Sequence, residues 1–168
     1  MSNPSLMLGG VPFVLEAGSF DQSSNALGGS GVVRLSLGEG VKMTHWSKAS
    51  GSISSNDAWM PPGLAGLDYS EPLELRLTKP MSITGTDLEV ALKGNSRPDS
   101  APWVLALVSG DWVQTDSTYS AGVVTITPVA GASLYATYWL PMYEVFASEP
   151  PESMGGGVYG WTINWEEA

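Results

Sequence analysis

The chain of 168 residues carries 17 acidic side chains, 7 basic side chains, one histidine and no cysteine, which gives a net charge of -10. Nucleic-acid binding through the phosphates is not expected, because the Lys and Arg residues are scarce and never adjacent. The lack of cysteine excludes disulfide scaffolds and thiolate metal sites. With 43% hydrophobic and 14% charged residues, the chain is expected to fold.

The length fits one domain, so we expect a single β-rich domain over residues 1–168. The first four residues carry no basic side chain, and Gly9 and Gly10 interrupt the first apolar run, so no secretory signal is predicted. No apolar run approaches the roughly 18 to 20 residues that cross a bilayer, so no membrane span is expected.

Three segments alternate apolar and polar residues with a period of two. This pattern predicts strands that turn one face to a core and the other to solvent. Their apolar positions are Val33, Leu35 and Leu37; Leu73, Leu75 and Leu77; and Tyr159, Trp161, Ile163 and Trp165.

Three further runs are rich in β-branched and aromatic residues, which favours central strands. They cover residues 103–108, 123–127 and 134–146, and Pro141 is expected to end or bend the last of them. Gly and Pro lie mostly between these runs. The sequence therefore predicts an all-β fold, a single-domain antiparallel sandwich or barrel with long loops.

Three segments lack a regular pattern: residues 17–31, 47–72 and 147–157. Irregular segments of this length often bind or reach a neighbouring subunit, although a mobile surface loop is an equal alternative. We treat 47–72 as an arm and 147–157 as a loop, both candidates for contacts between subunits. The candidate interface residues are Trp59, Pro61, Pro62, Leu64, Leu67, Tyr69, Pro150, Pro151 and Met154.

Catalytic patterns are weak. His45 is the only histidine, so it would have to serve any Ser-His-Asp triad, and a structural role near Trp46 is the favoured interpretation. No serine lies in a G-x-S-x-G motif, and no calcium-loop spacing occurs. We expect no enzyme activity, no catalytic residue, no metal and no cofactor. Glycoside hydrolysis by paired carboxylates is the less favoured alternative, since sequence does not give their separation.

Aromatic rings offer another kind of site, because their flat apolar faces stack on sugar rings. Most rings at strand spacing are expected in the core, namely Trp103, Trp139, Trp161 and Trp165. The candidates for sugar stacking in or beside loops are Trp46, Trp59, Trp112 and Tyr119.

The negative charge is concentrated late in the chain. Residues 98–168 contain 8 acidic side chains, no basic ones and 11 of the 16 aromatic residues. These carboxylates cannot be balanced by cations of the same segment, so they are expected to face water, a bound cation or a basic partner surface.

Four segments are spread along nearly the whole chain: VPFVLEAGSFDQ, GGSGVVRLSLGEGVKMTHW, WMPPGLAGLDYSEPLELRLTKPMSITG and YGWTINWEEA. They resemble small virion structural proteins of tailed bacteriophages. The resemblance implies a β-rich component of the tail, tail tip, baseplate or a connector, and it transfers no functional residues. It implies copies of the chain and other virion proteins as partners, with assembly in the host cytoplasm. A tip module that binds a receptor or a host surface glycan is the alternative.

Overall fold

The structure is a computed structural model that describes residues 4–13 and 20–168. Within these ranges the regular secondary structure consists of strands and one short 3₁₀ helix, η1, at Leu64–Gly66. The strands are β1 (Met7–Leu8), β2 (Val11–Pro12), β3 (Asp21–Arg34), β4 (Gly40–Ser55), β5 (Leu73–Arg76), β6 (Met81–Gly85), β7 (Glu89–Ala91), β8 (Asn95–Ser96), β9 (Trp103–Val108), β10 (Asp111–Thr115), β11 (Ser117–Ser120), β12 (Val123–Ile126), β13 (Ala132–Trp139), β14 (Pro141–Ala147), β15 (Glu152–Gly155) and β16 (Val158–Glu167).

The strand pairs are antiparallel, and the all-β prediction is confirmed. The chain divides into two compact units: Met1–Pro12 with Glu74–Tyr143, and Phe13–Leu73 with Glu144–Ala168. The prediction of one domain over residues 1–168 stays a prediction beside this division. No helix in the described ranges is both long and apolar enough to cross a membrane.

The first unit contains a sandwich of two sheets. One sheet has the order β10-β9-β13-β6, and the other has the order β11-β12-β7. The core between them is formed by side chains of β9, β12 and β13, because each strand turns every second residue inward. These core residues are Val104, Ala106, Val124, Ile126 and Tyr135.

The second unit is organised around β16, which lies between β4 and the last residues of β14 and also pairs with β15. Trp161, Ile163 and Trp165 are buried, as their alternation predicts. Ile163 is directly opposite Ile53 of β4, and neither side chain is exposed. This face of the sheet is therefore the apolar core of the unit.

Other predictions from periodicity have mixed outcomes. Leu75 and Leu77 are buried as expected. The run at 134–146 divides into β13 and β14 immediately before Pro141, which confirms the expected interruption. Val33, Leu35 and Leu37 are exposed, so the prediction that they face a core is wrong. Among the described residues, their stretch of chain pairs only with β4, and no further strand or sheet covers it.

The three segments predicted to be irregular contain strands. Residues 21–31 lie in β3, and residues 14–19 lie outside the described ranges. Residues 47–55 of the arm 47–72 lie in β4, which leaves a connection at 56–72 that includes η1. Within 147–157, β15 forms a hairpin with β16. These strands are rich in Ser and Gly and lack the apolar alternation that predicts a strand. Backbone hydrogen bonds to the neighbouring strand stabilise them more than apolar side chains do.

Candidate functional site

The longest pair of strands in the second unit is exposed at nearly every residue of its outer part. β3 and β4 pair from Asp21 with Ser54 to Arg34 with Gly40. β16 pairs with β4 only at Ser50–Ser55. Residues 26–49 are therefore a two-stranded hairpin with which no third strand of the described chain pairs, and we call it the ribbon.

Exposed apolar side chains are concentrated in the ribbon. It holds seven of the 15 large hydrophobic side chains that are exposed among the described residues. At its tip, Leu37 is 90% exposed. The seven are Val32, Val33, Leu35, Leu37, Val41, Met43 and Trp46.

The two faces of the ribbon differ in chemistry. Val33 is directly opposite Val41, and Met43 lies two residues further along β4, so these side chains share one face. On the other face Val32 is opposite Lys42, with Arg34 two residues away. The outer part of the ribbon therefore has an apolar face and a basic face.

The ends of the ribbon are fixed by hydrogen bonds. At the tip, Leu35 N donates to Glu39 O at 2.9 Å and Arg34 Nη1 donates to Gly38 O at 3.1 Å. At the base, Ala49 N donates to Glu167 Oε2 at 2.7 Å, and Lys48 Nζ donates to the carbonyl oxygen of Ala168. These contacts order the ribbon at both ends without covering its faces.

The only histidine lies at an irregularity of the ribbon. Gly29 is opposite Trp46 and Ser30 is opposite Thr44, so His45 is the extra residue of a β-bulge. Its side chain is exposed. A bulge increases the local twist of a strand pair, so His45 marks the point where the ribbon bends.

The four rings predicted to stack on sugars are all exposed, but they lie on separate elements. Trp46 is in β4, Trp59 in the connection 56–72, Trp112 in β10 and Tyr119 in β11. Trp59 contacts Tyr159 with ring centroids 5.3 Å apart, and no ring contact joins any two of the four within the described ranges. Of the rings expected in the core, Trp139, Trp161 and Trp165 are buried, whereas Trp103 is half-buried and stacks on Tyr138 at 5.6 Å.

The predicted interface residues divide by exposure. Pro61, Leu64 and Pro150 are buried in the chain, so their assignment to a surface contact is corrected. Leu64 packs in the core because η1 turns it inward, where its carbonyl accepts a hydrogen bond from Tyr69 Oη at 2.8 Å. Leu67 and Tyr69 are half-buried, and Trp59, Pro62, Pro151 and Met154 are exposed. These six remain candidates for contacts.

Arg97 and Asp99 of the first unit form a network of hydrogen bonds with the chain. Arg97 is buried, and its Nε and Nη2 donate to Asp99 Oδ1 and Oδ2 at 2.9 and 2.8 Å. Its Nη1 donates to Leu77 O at 3.1 Å. These hydrogen bonds from Arg97 lower the pKa of Asp99 from 3.8 to about 2. Since the guanidinium is engaged with the chain itself, the network stabilises the fold.

In the described ranges, no three His, Cys, Asp or Glu side chains are grouped so that they could hold a metal ion. The comparisons with known proteins give no further assignment. No protein-family model matches the chain, and a search of curated proteins found no match.

Proposed function

We propose that the chain is a structural component of a tailed-bacteriophage virion, in the tail, tail tip or baseplate, and that it assembles through contacts with copies of itself. The virion assignment rests on the resemblance of the four segments quoted above. The assembly role rests on one observation: an ordered ribbon with an apolar face that nothing in the described chain covers.

The marginal stability expected of an uncovered ribbon supports the presence of a partner. A two-stranded hairpin is marginal in water unless a third strand or an apolar layer covers it. Here the apolar face bears Val33, Val41 and Met43, which are 51%, 43% and 51% exposed. Burial of these side chains at an interface would stabilise both the ribbon and the complex.

Charge supports a second copy of the chain as the partner. Residues 26–49 carry three basic side chains and one acidic side chain, whereas the rest of the sequence carries 4 basic and 16 acidic ones. The basic ribbon of one copy is therefore attracted to the acidic remainder of another copy. The ribbon of a second copy would also supply positive charge to the acidic segment 98–168, which has no basic side chain of its own.

Such a contact joins two different surfaces, so it is heterologous. Heterologous contacts repeat around an axis and generate rings or tubes. This geometry agrees with a role in a virion substructure.

The virion assignment is tested by peptide mass spectrometry of density-purified particles produced from the genome that encodes this chain. We expect its peptides to co-purify with the particles through a second gradient. Their absence from particles that contain the products of the neighbouring genes would overturn the assignment. Electron microscopy of the purified chain then tests assembly, with rings or tubes as the expected result.

A further inference from the structure

The outer face of the sheet in the second unit holds a groove of about 540 Å³, which we call the polar groove. Its residues come from the ends of four neighbouring strands, β3, β4, β16 and β14. The lining residues on this face are Ser23, Asn25, Ser50, Ser52, Phe146, Ser148, Asn164 and Glu166.

The strand register places these side chains in two rows. Asn25 is opposite Ser50, Ser50 is opposite Glu166, and Glu166 is opposite Phe146. Directly opposed residues of an antiparallel sheet point to the same face. The first row therefore crosses all four strands.

The second row lies two residues further along each strand. Ser23 is opposite Ser52, and Ser52 is opposite Asn164. Ser148 N donates to Asn164 O at 3.2 Å beside them. Since residues two apart share a face, both rows lie on the side away from the buried Ile53, Ile163 and Trp165.

Short side chains create the concavity. Four of the eight side chains are serines, so the floor of the polar groove is low and lined by hydroxyl groups. Ser23 and Ser52 already contact each other, with their Oγ atoms 2.8 Å apart. Around them, Asn25, Asn164 and Glu166 are exposed and, within the described ranges, form no side-chain hydrogen bond with the protein.

We propose that the polar groove binds a neutral saccharide, stacked on Phe146 and hydrogen-bonded by Asn25, Asn164 and Glu166. The phenyl ring is 50% exposed and offers the flat apolar surface that packs against the C–H face of a pyranose. Each asparagine supplies two donors and an acceptor, and the carboxylate accepts hydrogen bonds from hydroxyl groups. A few placed polar groups beside an aromatic ring are the usual elements of a small-ligand site.

Charge selects the class of saccharide. Glu166 is the only charged side chain among the lining residues, and the whole chain carries -10. Sialylated, sulfated and phosphorylated sugars are therefore repelled. A single carboxylate also lacks the partner that glycoside hydrolysis requires, so the assigned activity is binding.

This inference is independent of the ribbon, because the two rows lie at the other end of β3 and β4. Its residues also differ from the four rings proposed from the sequence. Trp46, Trp59, Trp112 and Tyr119 do not line the polar groove.

The test is titration of the isotope-labelled protein, followed by amide NMR, with methyl glucoside, methyl galactoside, methyl mannoside, N-acetylglucosamine and sialic acid as probes. At least one neutral probe is expected to produce saturable shifts confined to residues 23–25, 50–52, 146–148 and 164–166. Sialic acid is expected to produce none there.

Two variants test the stacking and hydrogen-bonding roles. F146A is expected to weaken the binding of that probe about tenfold, while F146Y retains it. N164A is expected to weaken it as well, and serves as the second test if F146A fails to fold. V158A removes an exposed side chain of β16 outside the polar groove and is expected to bind like the wild type. The inference is overturned if no neutral probe shifts these amides, or if binding is unchanged in both F146A and N164A.

Discussion

The indole of Trp46 lies over the backbone of Gly29, its cross-strand partner in the ribbon. A Cβ atom added to Gly29 would lie 2.9 Å from both Cδ1 and Cε2 of the ring. Such a distance is shorter than any ordinary van der Waals contact, so only glycine leaves room for this ring position. Trp46 thus compensates for the missing side chain of Gly29 and supports the ribbon next to its bulge.

The first prediction concerns this pair of residues. G29V is expected to displace the indole and to loosen the ribbon, with faster hydrogen exchange at amides of residues 26–34 and 40–49. G31V is the matched control, because a Cβ atom on Gly31 meets no atom within 4 Å. Valine favours strands, so G31V is expected to leave exchange unchanged or slower. Equal exchange in G29V and wild type would contradict the role of this contact.

A second prediction concerns the turn between β11 and β12. Ala121 and Gly122 both have positive φ, at 50° and 82°, in a two-residue loop closed by Ser120 and Val123. Such turns favour Asn followed by Gly, and alanine at this φ is strained.

We therefore expect A121N to raise the free energy of unfolding by about 0.5–1 kcal/mol. G122A is expected to lower it by about 1–2 kcal/mol, because it places a second Cβ in the left-handed region. Urea unfolding measures both values. An A121N variant that is less stable than the wild type would show that the turn has another conformation.

A third prediction concerns Asp99 and the buried Arg97. D99N leaves Arg97 without its anionic partner and is expected to lower the free energy of unfolding at pH 7 by about 1–2 kcal/mol. The value is at the lower end for a buried cation, since the Asp99 side chain is 38% exposed. D111N changes an exposed carboxylate of β10 and is expected to have little effect.

The same pair predicts a pH dependence. The pKa of Asp99 is about 2 in the folded chain and about 3.9 in an unfolded one. A depressed pKa stabilises the fold fully above about pH 5, and this stabilisation is lost progressively as the pH falls through about 4 toward 2. The difference in stability between wild type and D99N should therefore shrink from pH 6 to pH 2.5. A constant difference over this range would contradict the assignment.

The sequence predicted those strands in which apolar and polar residues alternate within the strand itself. This alternation is clear in β5 and β16, where Leu75, Trp161 and Ile163 are buried as expected. The ribbon was missed because its first strand is rich in Ser and Gly and resembles a linker. Periodicity also says which side chains share a face and not whether another layer covers it, so Val33 was assigned wrongly to a core.

The polar groove was missed for a related reason. Its residues are distant in the chain and become neighbours only through the register of four strands. One local signal was present in β16, where Asn164 and Glu166 alternate with Ile163 and Trp165. Such alternation shows a polar face, but the concavity depends on the serines of β3 and β4.

A fourth prediction tests the basic face of the ribbon. K42E is expected to weaken self-association about threefold to tenfold at low salt, because it removes attraction between the ribbon and the acidic remainder of another copy. The effect should decrease at high salt, which screens exposed charges. K93E makes the same change of charge at an exposed lysine of the first unit. Equal weakening by both variants would indicate a net-charge effect without a specific contact.

Sedimentation velocity shows whether the ribbon joins copies of the chain. The variant to compare has residues 30–45 replaced by Asn-Gly, which joins Gly29 and Trp46 in their native pairing by a two-residue turn. We predict that the wild type sediments above its monomer mass of 17.7 kDa as concentration rises, while the shortened variant keeps its thermal unfolding transition and remains monomeric. A wild type that is monomeric at every concentration, or a shortened variant that assembles equally well, would contradict the claim.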